Sequence, residues 1–300
     1  MIIMIPKDLL YDYWKSIMTK DGRKDTIKRE IIHTYLDLIN FNAREVAPVI
    51  AEHTERIVET LSNRNSITVI DTVAKAVYRV RHGTSNYLLP LEWGLTLHPI
   101  YKVPYIPGSA VKGVLRAAFI SLLFEKYFNE PPEEEELREF LKEANKVASH
   151  LFGSTNDEPP FTGKSLITAY DSYPIEPGIA GLYVIGDVLT PHYPTTRELK
   201  DELDAEPRPI IGLSVAEGTR FRFVITIDKS RRDAIENAKE GVKELLHLND
   251  NSPLLINLNV NRIHIFVGAL LMKAFREVGV GGKTTRGYGY FSIVSMRASG

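Results

Sequence analysis

The chain is expected to adopt an α+β fold of ferredoxin-like (RRM-like) topology, with insertions and a helical N-terminal extension, and three observations predict it. Apolar and polar residues alternate through 75–81 and again at Phe221, Phe223, Ile225 and Ile227, the period of two that a strand requires. Apolar residues recur at helical spacing through 108–124 and 262–278, the stripe of a helix that packs on a sheet. With insertions set aside, the elements run strand, helix, two strands, helix, strand, the split βαβ order of that topology.

Taken in order, residues 7–62 read as helical, with Ile27, Ile31, Tyr35, Leu38 and Ile39 at helical spacing. Residues 1–65 form the expected extension and 66–300 the ferredoxin-like domain. The first strand starts at Ser66, with Ala76, Tyr78 and Val80 on one face and Lys75, Val77, Arg79 and Arg81 on the other. An amphipathic helix spans Gly108 to Phe124, and Ser109 is a natural N-cap for it. A second, acidic helix follows Pro131 and Pro132, buries Leu137, Phe140, Leu141, Ala144 and Val147, and ends at Leu151-Phe152-Gly153. Strands are expected at Ser165–Ala169 and Leu182–Leu189, then an exposed arm at 191–209 marked by Pro191, Pro194, Pro207 and Pro209. After the strand at 221–227 come a helix at Ser230–Leu248, a last helix at Arg262–Val278, a glycine-rich loop and a final strand at Tyr288–Val294.

Composition excludes several classes. With 44% hydrophobic and 25% charged residues the chain is globular rather than disordered, and 300 residues bury a substantial core. It contains no cysteine, so disulfides, iron–sulfur clusters and thiolate zinc sites are ruled out. Met1 to Pro6 is apolar but too short for a signal peptide, and no run approaches the roughly 18 apolar residues of a membrane span. The expected location is the cytoplasm, with no membrane contact. A formal net charge of −1 argues against coating nucleic acid by bulk charge. Charge is instead segregated. Residues 75–116 hold Lys75, Arg79, Arg81, Lys102, Lys112 and Arg116 against Glu92 alone; residues 273–297 hold Lys273, Arg276, Lys283, Arg286 and Arg297 against Glu277; residues 130–143 are strongly acidic. The acidic helix and the arm are expected to face protein neighbours, because an acidic surface repels phosphate.

The sharpest motif is Gly279-Val280-Gly281-Gly282-Lys283-Thr284-Thr285-Arg286-Gly287-Tyr288-Gly289. Glycines admit positive φ and close approach of N–H groups to an anion, while Lys283 and Arg286 attract phosphate and Thr284 and Thr285 offer hydroxyls. A tight helix-to-strand turn would also use such glycines, although it has no need of the Lys-Thr-Thr-Arg tip. A P-loop is excluded, because Glu277 and Glu158 stand where that motif needs its first glycine before Gly282-Lys283-Thr284 and Gly163-Lys164-Ser165. The second motif is Pro104-Tyr105-Ile106-Pro107-Gly108-Ser109-Ala110-Val111-Lys112-Gly113-Val114-Leu115-Arg116. Lys112 and Arg116 sit one helical turn apart, a like-charge pair that an anionic partner would relieve and that a solvated face would also tolerate.

These residues resemble the RAMP proteins of CRISPR systems, and within them the sixth-subunit family of the type III-B (Cmr) effector complex. The resemblance rests on 105–116, on Leu151-Phe152-Gly153 with the strand that follows, on Gly186-Asp187-Val188-Leu189-Thr190-Pro191-His192-Tyr193, and on 279–289. It implies a RAMP ferredoxin-like domain over 66–300 that joins related subunits along a CRISPR RNA, toward the 3′ end of that RNA. Its partners would be CRISPR RNA, other RAMP subunits of the complex and, indirectly, target RNA, with catalysis in other subunits.

Two further readings stay open from sequence. One is an endoribonuclease of the same superfamily, with His98, Asp187 or His192 as acid/base candidates; the eight histidines show no HxH or HExxH spacing, so no metal or other cofactor is expected. The other is a free-standing RNA regulator with Tyr288 and Tyr290 as stacking platforms, against which sheet packing is the preferred role for both rings. The favoured reading is a non-catalytic RNA-binding subunit whose contacts are Lys112, Arg116, Gly279, Gly281, Gly282, Lys283, Thr284, Thr285, Arg286, Gly287 and Gly289.

Overall fold

The computed structural model describes residue 15 and residues 24–83, 94–154, 165–189, 192–194, 205–207 and 210–300. Its central sheet contains β1 (Ile67–Ala76), β2 (Ile167–Ala169), β3 (Tyr173–Glu176), β8 (Arg220–Asp228) and β9 (Phe291–Ser299). The order is β2–β8–β1–β9, β3 also pairs with β8, and every pairing is antiparallel. With β2, β8 and β9 as second, third and fourth strands, this is the split βαβ arrangement that the order of elements predicts. Two smaller ribbons pair β4 (Val184–Leu189) with β7 (Ile210–Val215) and β5 (His192–Pro194) with β6 (Ala205–Pro207).

The helices divide between the two faces of the sheet. On one lie α2 (Gly108–Tyr127), α3 (Glu134–Phe152), α4 (Arg232–Leu246), the short α5 (Pro253–Asn257) and α6 (Ile263–Lys273). They bury Leu115, Phe119, Leu123, Phe140, Leu151, Phe266 and Leu271 against Phe223, Ile225 and Ile227. Deleting one such ring as Phe119→Ala would cost about 3–5 kcal/mol. The other face is covered by α1 (Lys24–Ser62), which packs Val58 on Val69 and Val224. Asn40 of α1 is 5% exposed and fully used: its Nδ2 donates to the carbonyls of Leu36 and Val184, and its Oδ1 accepts from the N–H groups of Tyr183 and Val184.

The same face carries an ion network. Arg222 of β8 grips Asp71 of β1 with two bonds of 2.9 and 2.8 Å and reaches Glu55 of α1; Arg297 of β9 bonds the same two carboxylates at 2.8–3.0 Å. Charged side chains from three strands and a helix thus clamp α1 to the sheet.

Several local expectations are corrected. β1 ends at Ala76, and most of it is buried on both faces because α1 covers the second one, so it is not the half-buried strand through residue 81 that alternation suggested. Beyond it Val80 alone is bridged, to Val215. Pro107 takes the cap position of α2 and Ser109 lies inside the first turn; the N–H of Gly108 donates to Asp171 Oδ1 at 2.8 Å instead. A Cβ on Gly108 would stand 2.1 Å from the Ala169 carbonyl oxygen, so this position admits only glycine. Leu141 is 37% exposed, and Ala148 takes the buried position on α3. The last helix ends at Lys273 and continues as a π-turn over Ala274–Val278. The final strand starts at Phe291, later than Tyr288, because Gly287 and Gly289 take positive φ. The arm expected at 191–209 lies largely outside the described residues, as do residues 7–14, 16–23, Gly163 and Lys164. No helix among the described residues is long and apolar enough to cross a membrane.

Candidate nucleic-acid interface

The glycine loop is stapled to the segment that leaves β1. Gly282 N–H donates to the Arg81 carbonyl at 2.8 Å, Gly289 N–H to the Arg79 carbonyl at 2.9 Å, and Val280 N–H to the Gly289 carbonyl at 2.8 Å. Gly281 has φ +98°, and a Cβ there would lie 2.1 Å from the Arg81 carbonyl oxygen; at Gly289, φ +77°, a Cβ would meet the Val280 carbonyl oxygen at 2.1 Å. Glycine is needed at both by conformation and by space.

That stapling assigns the donors differently from the expectation. The N–H groups of Gly279, Gly282, Gly287 and Gly289 are spent on Ala274, Arg81, Thr284 and Arg79, so they are unavailable to a phosphate. Among the described residues, the N–H groups of Gly281, Lys283, Thr284 and Thr285 have no acceptor. Thr284–Arg286 forms a 3-10 turn entered through Lys283 at φ +64°, a left-handed conformation outside glycine. Lys283 and Arg286 are exposed at this tip with no acidic partner among the described residues, and so is Arg276 on the preceding π-turn.

The base of the loop is held by Asp187 of β4. Its carboxylate is 1% exposed and accepts from Arg79 Nη1, from Ser214 Oγ at 2.6 Å and from Tyr288 OH at 2.9 Å. Burial, and after it the bond to Asp187, pushes the Tyr288 hydroxyl above its ordinary pKa. Arg79 lies 5.4 Å from the Tyr78 ring centroid and Arg81 5.8 Å from that of Tyr288, and Tyr78 meets Tyr288 edge-on at 5.3 Å. One buried carboxylate therefore ties the β4–β7 ribbon, the segment after β1 and the loop into one body. Tyr288 has the packing role preferred from the sequence, whereas Tyr290 is only partly exposed.

The second motif forms a separate patch. Lys112 and Arg116 sit in the N-terminal half of α2; the approach to the loop meets that helix at its other end, where Lys273 Nζ bonds Glu125 at 2.7 and 2.8 Å. Burial lowers the Lys112 ammonium pKa, and no acid pairs with it among the described residues. Arg116 Nη2 donates to Asn145 Oδ1 at 2.9 Å while its Nε is buried without a partner. The pair sits where an anion would relieve both groups.

The acid/base candidates fare unequally. Asp187 has no exposed side-chain surface, and its two oxygens are engaged by Arg79, Ser214 and Tyr288. The His192 side chain lies outside the described residues. His98 stacks on Tyr101 at 4.7 Å, and its Nδ1 accepts from the N–H groups of Ile100 and Tyr101 at 3.2 Å, so that nitrogen is committed within its own loop. Sequence reasoning missed Arg276, which reads simply as the polar face of a helix, and it missed the Asp187 hub, whose members are far apart along the chain.

Residues 92–292 match the RAMP superfamily. "CRISPR system CMR subunit Cmr6" of Saccharolobus solfataricus is 28% identical over 211 residues, which cover 69% of this chain and 62% of that protein, less than two thirds of its length. Among solved structures, a chain of "Cryo-EM structure of the Type III-B Cmr-beta bound to cognate target RNA" superposes with a TM-score of 0.57 at 22% identity, covering 93% of this chain and 75% of that one. Cmr6 from Pyrococcus furiosus gives a TM-score of 0.39 at 20% identity, covering 77% of this chain and 99% of that one.

Proposed function

The chain belongs to the RAMP superfamily, and on that premise we propose that it is a non-catalytic, RNA-binding structural subunit of a type III-B CRISPR effector ribonucleoprotein. It contacts CRISPR RNA toward its 3′ end through the loop at 279–289 and lies beside other RAMP subunits, meeting target RNA indirectly. Residues 66–300 are the RAMP domain and 1–65 an N-terminal extension, whose helix Lys24–Ser62 packs on the sheet. The complex works in the cytoplasm.

The observation that carries the reading is the loop tip: exposed Lys283 and Arg286, beside backbone N–H groups, with neither acidic partner nor acceptor among the described residues. Such a tip reads phosphate, whose geometry is the same for every base, so recognition is sequence-tolerant. Lys112 and Arg116 supply a second phosphate contact on the same chain. The committed bonds of Asp187 support a non-catalytic role.

Fluorescence anisotropy at several salt concentrations tests the reading. Arg286→Ala and Lys283→Ala should each weaken binding equally for unrelated single-stranded RNAs and lower the salt slope by about 0.7, the single-strand value per phosphate. Purification from the native host should bring down related RAMP chains and a small RNA. Unchanged affinity in both variants would reduce the loop to a turn, and a clean monomer without RNA would overturn the subunit reading.

A further inference from the structure

Beside the loop tip runs a groove of about 610 Å³ whose chemistry phosphate contacts leave unused. Its floor is Phe275 and Phe291, each 1% exposed, and its walls are Val77, Tyr78 and Tyr290. The Val77 N–H donates to the Tyr290 carbonyl at 2.9 Å, which fixes the two walls relative to each other. Tyr78 is oriented by its edge-on contact with Tyr288, whereas the Tyr290 ring makes no ring contact among the described residues. Val77 is 54% exposed and Tyr78 37%, so apolar surface lies open to water at a place that two guanidinium groups border. Arg276 and Arg286 line the groove, and among the described residues no carboxylate does.

We infer that this groove receives one unstacked nucleobase of single-stranded RNA, its flanking phosphates held by Arg276 and Arg286. The inference rests on the reading of the loop as an RNA contact and extends it from backbone to base. A nucleotide joins a flat, largely apolar ring to a phosphate on either side, and this groove offers aromatic faces within reach of two unneutralised cations. The volume falls within the roughly 300–1,000 Å³ of small-ligand sites. Stacking on Tyr290 accepts any base, since every base has a π face, so the site adds affinity without reading sequence. A protein segment in the groove would need an apolar side chain flanked by acids, and the test separates that case.

The test uses the full chain with a single-stranded RNA carrying 2-aminopurine at one position in turn, and with a ribose-phosphate oligomer of the same length that lacks bases. Binding should quench 2-aminopurine at one register. The abasic oligomer and the Tyr290→Ala variant should each show a loss of roughly five- to hundredfold, the range for one stacked base. Tyr290→Phe should retain quenching and affinity. Val77→Asp, which adds a carboxylate at an already exposed wall position, should weaken binding without unfolding the chain. If the abasic oligomer binds as tightly as RNA and Tyr290→Ala changes nothing while Arg286→Ala still lowers the salt slope, the groove inference falls and the phosphate reading stands. If neither oligomer shows salt-dependent binding, both fall. Loss of co-purifying chains from Tyr290→Ala with RNA affinity intact would assign the groove to a protein neighbour and overturn the inference.

Discussion

Arg286 and Arg297 belong to the same basic stretch of sequence, yet the fold puts them to opposite uses. Arg297 bonds Asp71 and Glu55 and helps fasten α1 to the sheet. Arg286 stands at the loop tip with no acid beside it among the described residues. The contrast extends to their surroundings. Lys273 is neutralised by Glu125 and Glu277, and Arg79 by Asp187, whereas among the described residues no acid pairs with Arg276 or Lys283. Counting cations along the chain therefore locates charge without locating a partner. A phosphate is attracted by the cations that the protein's own carboxylates do not neutralise.

The comparison breaks first at Asp187, the group that supports the exposed tip from below. Asp187→Ala would strand Arg79, Ser214 and Tyr288 around a cavity and should cost about 3–5 kcal/mol, the range for removing one partner of a buried pair. Thermal and urea unfolding would show it as a clear loss of stability, and RNA affinity should fall with it because the loop loses its anchor. Wild-type stability in this variant would mean that the hub is not the support described above.

Next in size is Arg222→Ala, which leaves the 6%-exposed Asp71 with Arg297 as its one remaining cation. The expected loss is about 2 kcal/mol, the scale of a charged bond left unmade in a partly buried site. Its salt slope for RNA should match wild type, since the network lies on the face under α1. A change in slope comparable to that of Arg286→Ala would erase the distinction between sealed and open cations.

Gly281→Val sharpens the comparison from the other side. The new side chain would collide with the Arg81 carbonyl and be held at φ +98°, a local strain on the order of 1–3 kcal/mol. RNA affinity should drop by more than in Lys283→Ala, because every donor at the tip moves together, while hydrogen exchange in β1 and β8 stays slow. Affinity equal to wild type would show that the tip does not depend on the stapling.

The smallest effect is a pH dependence at the sealed network. The bond from Arg222 first, and that from Arg297 after it, holds the Glu55 carboxyl below its ordinary pKa against the opposing effect of burial. A depressed carboxyl stabilises the fold fully above its unfolded pKa near 4.5 and loses that contribution as pH falls through the lower folded value. Stability curves of wild type and Glu55→Gln should therefore differ at neutral pH and converge as pH falls through the lowered folded value.

Order and periodicity determined the fold class. The strand–helix–strand–strand–helix–strand succession and the apolar stripes of α2 and α6 are local properties of the chain, and the observed sheet order follows from them. The glycine loop was equally legible, because a need for positive φ shows as glycine wherever it occurs. What tertiary structure alone decided is which polar groups are already spent. Ser109 looked like a cap, but Asp171 supplies the bond; the loop glycines looked like donors, but the carbonyls of Ala274, Arg79, Arg81 and Thr284 take their N–H groups. Asp187 is an acid/base candidate by residue type, and the fold buries it with its oxygens bonded to Arg79, Ser214 and Tyr288. Each of these outcomes depends on a partner tens of residues away or on a turn closing on itself, and hydrogen bonds and ion pairs act over a few ångströms of space, a distance that spacing along a sequence does not encode.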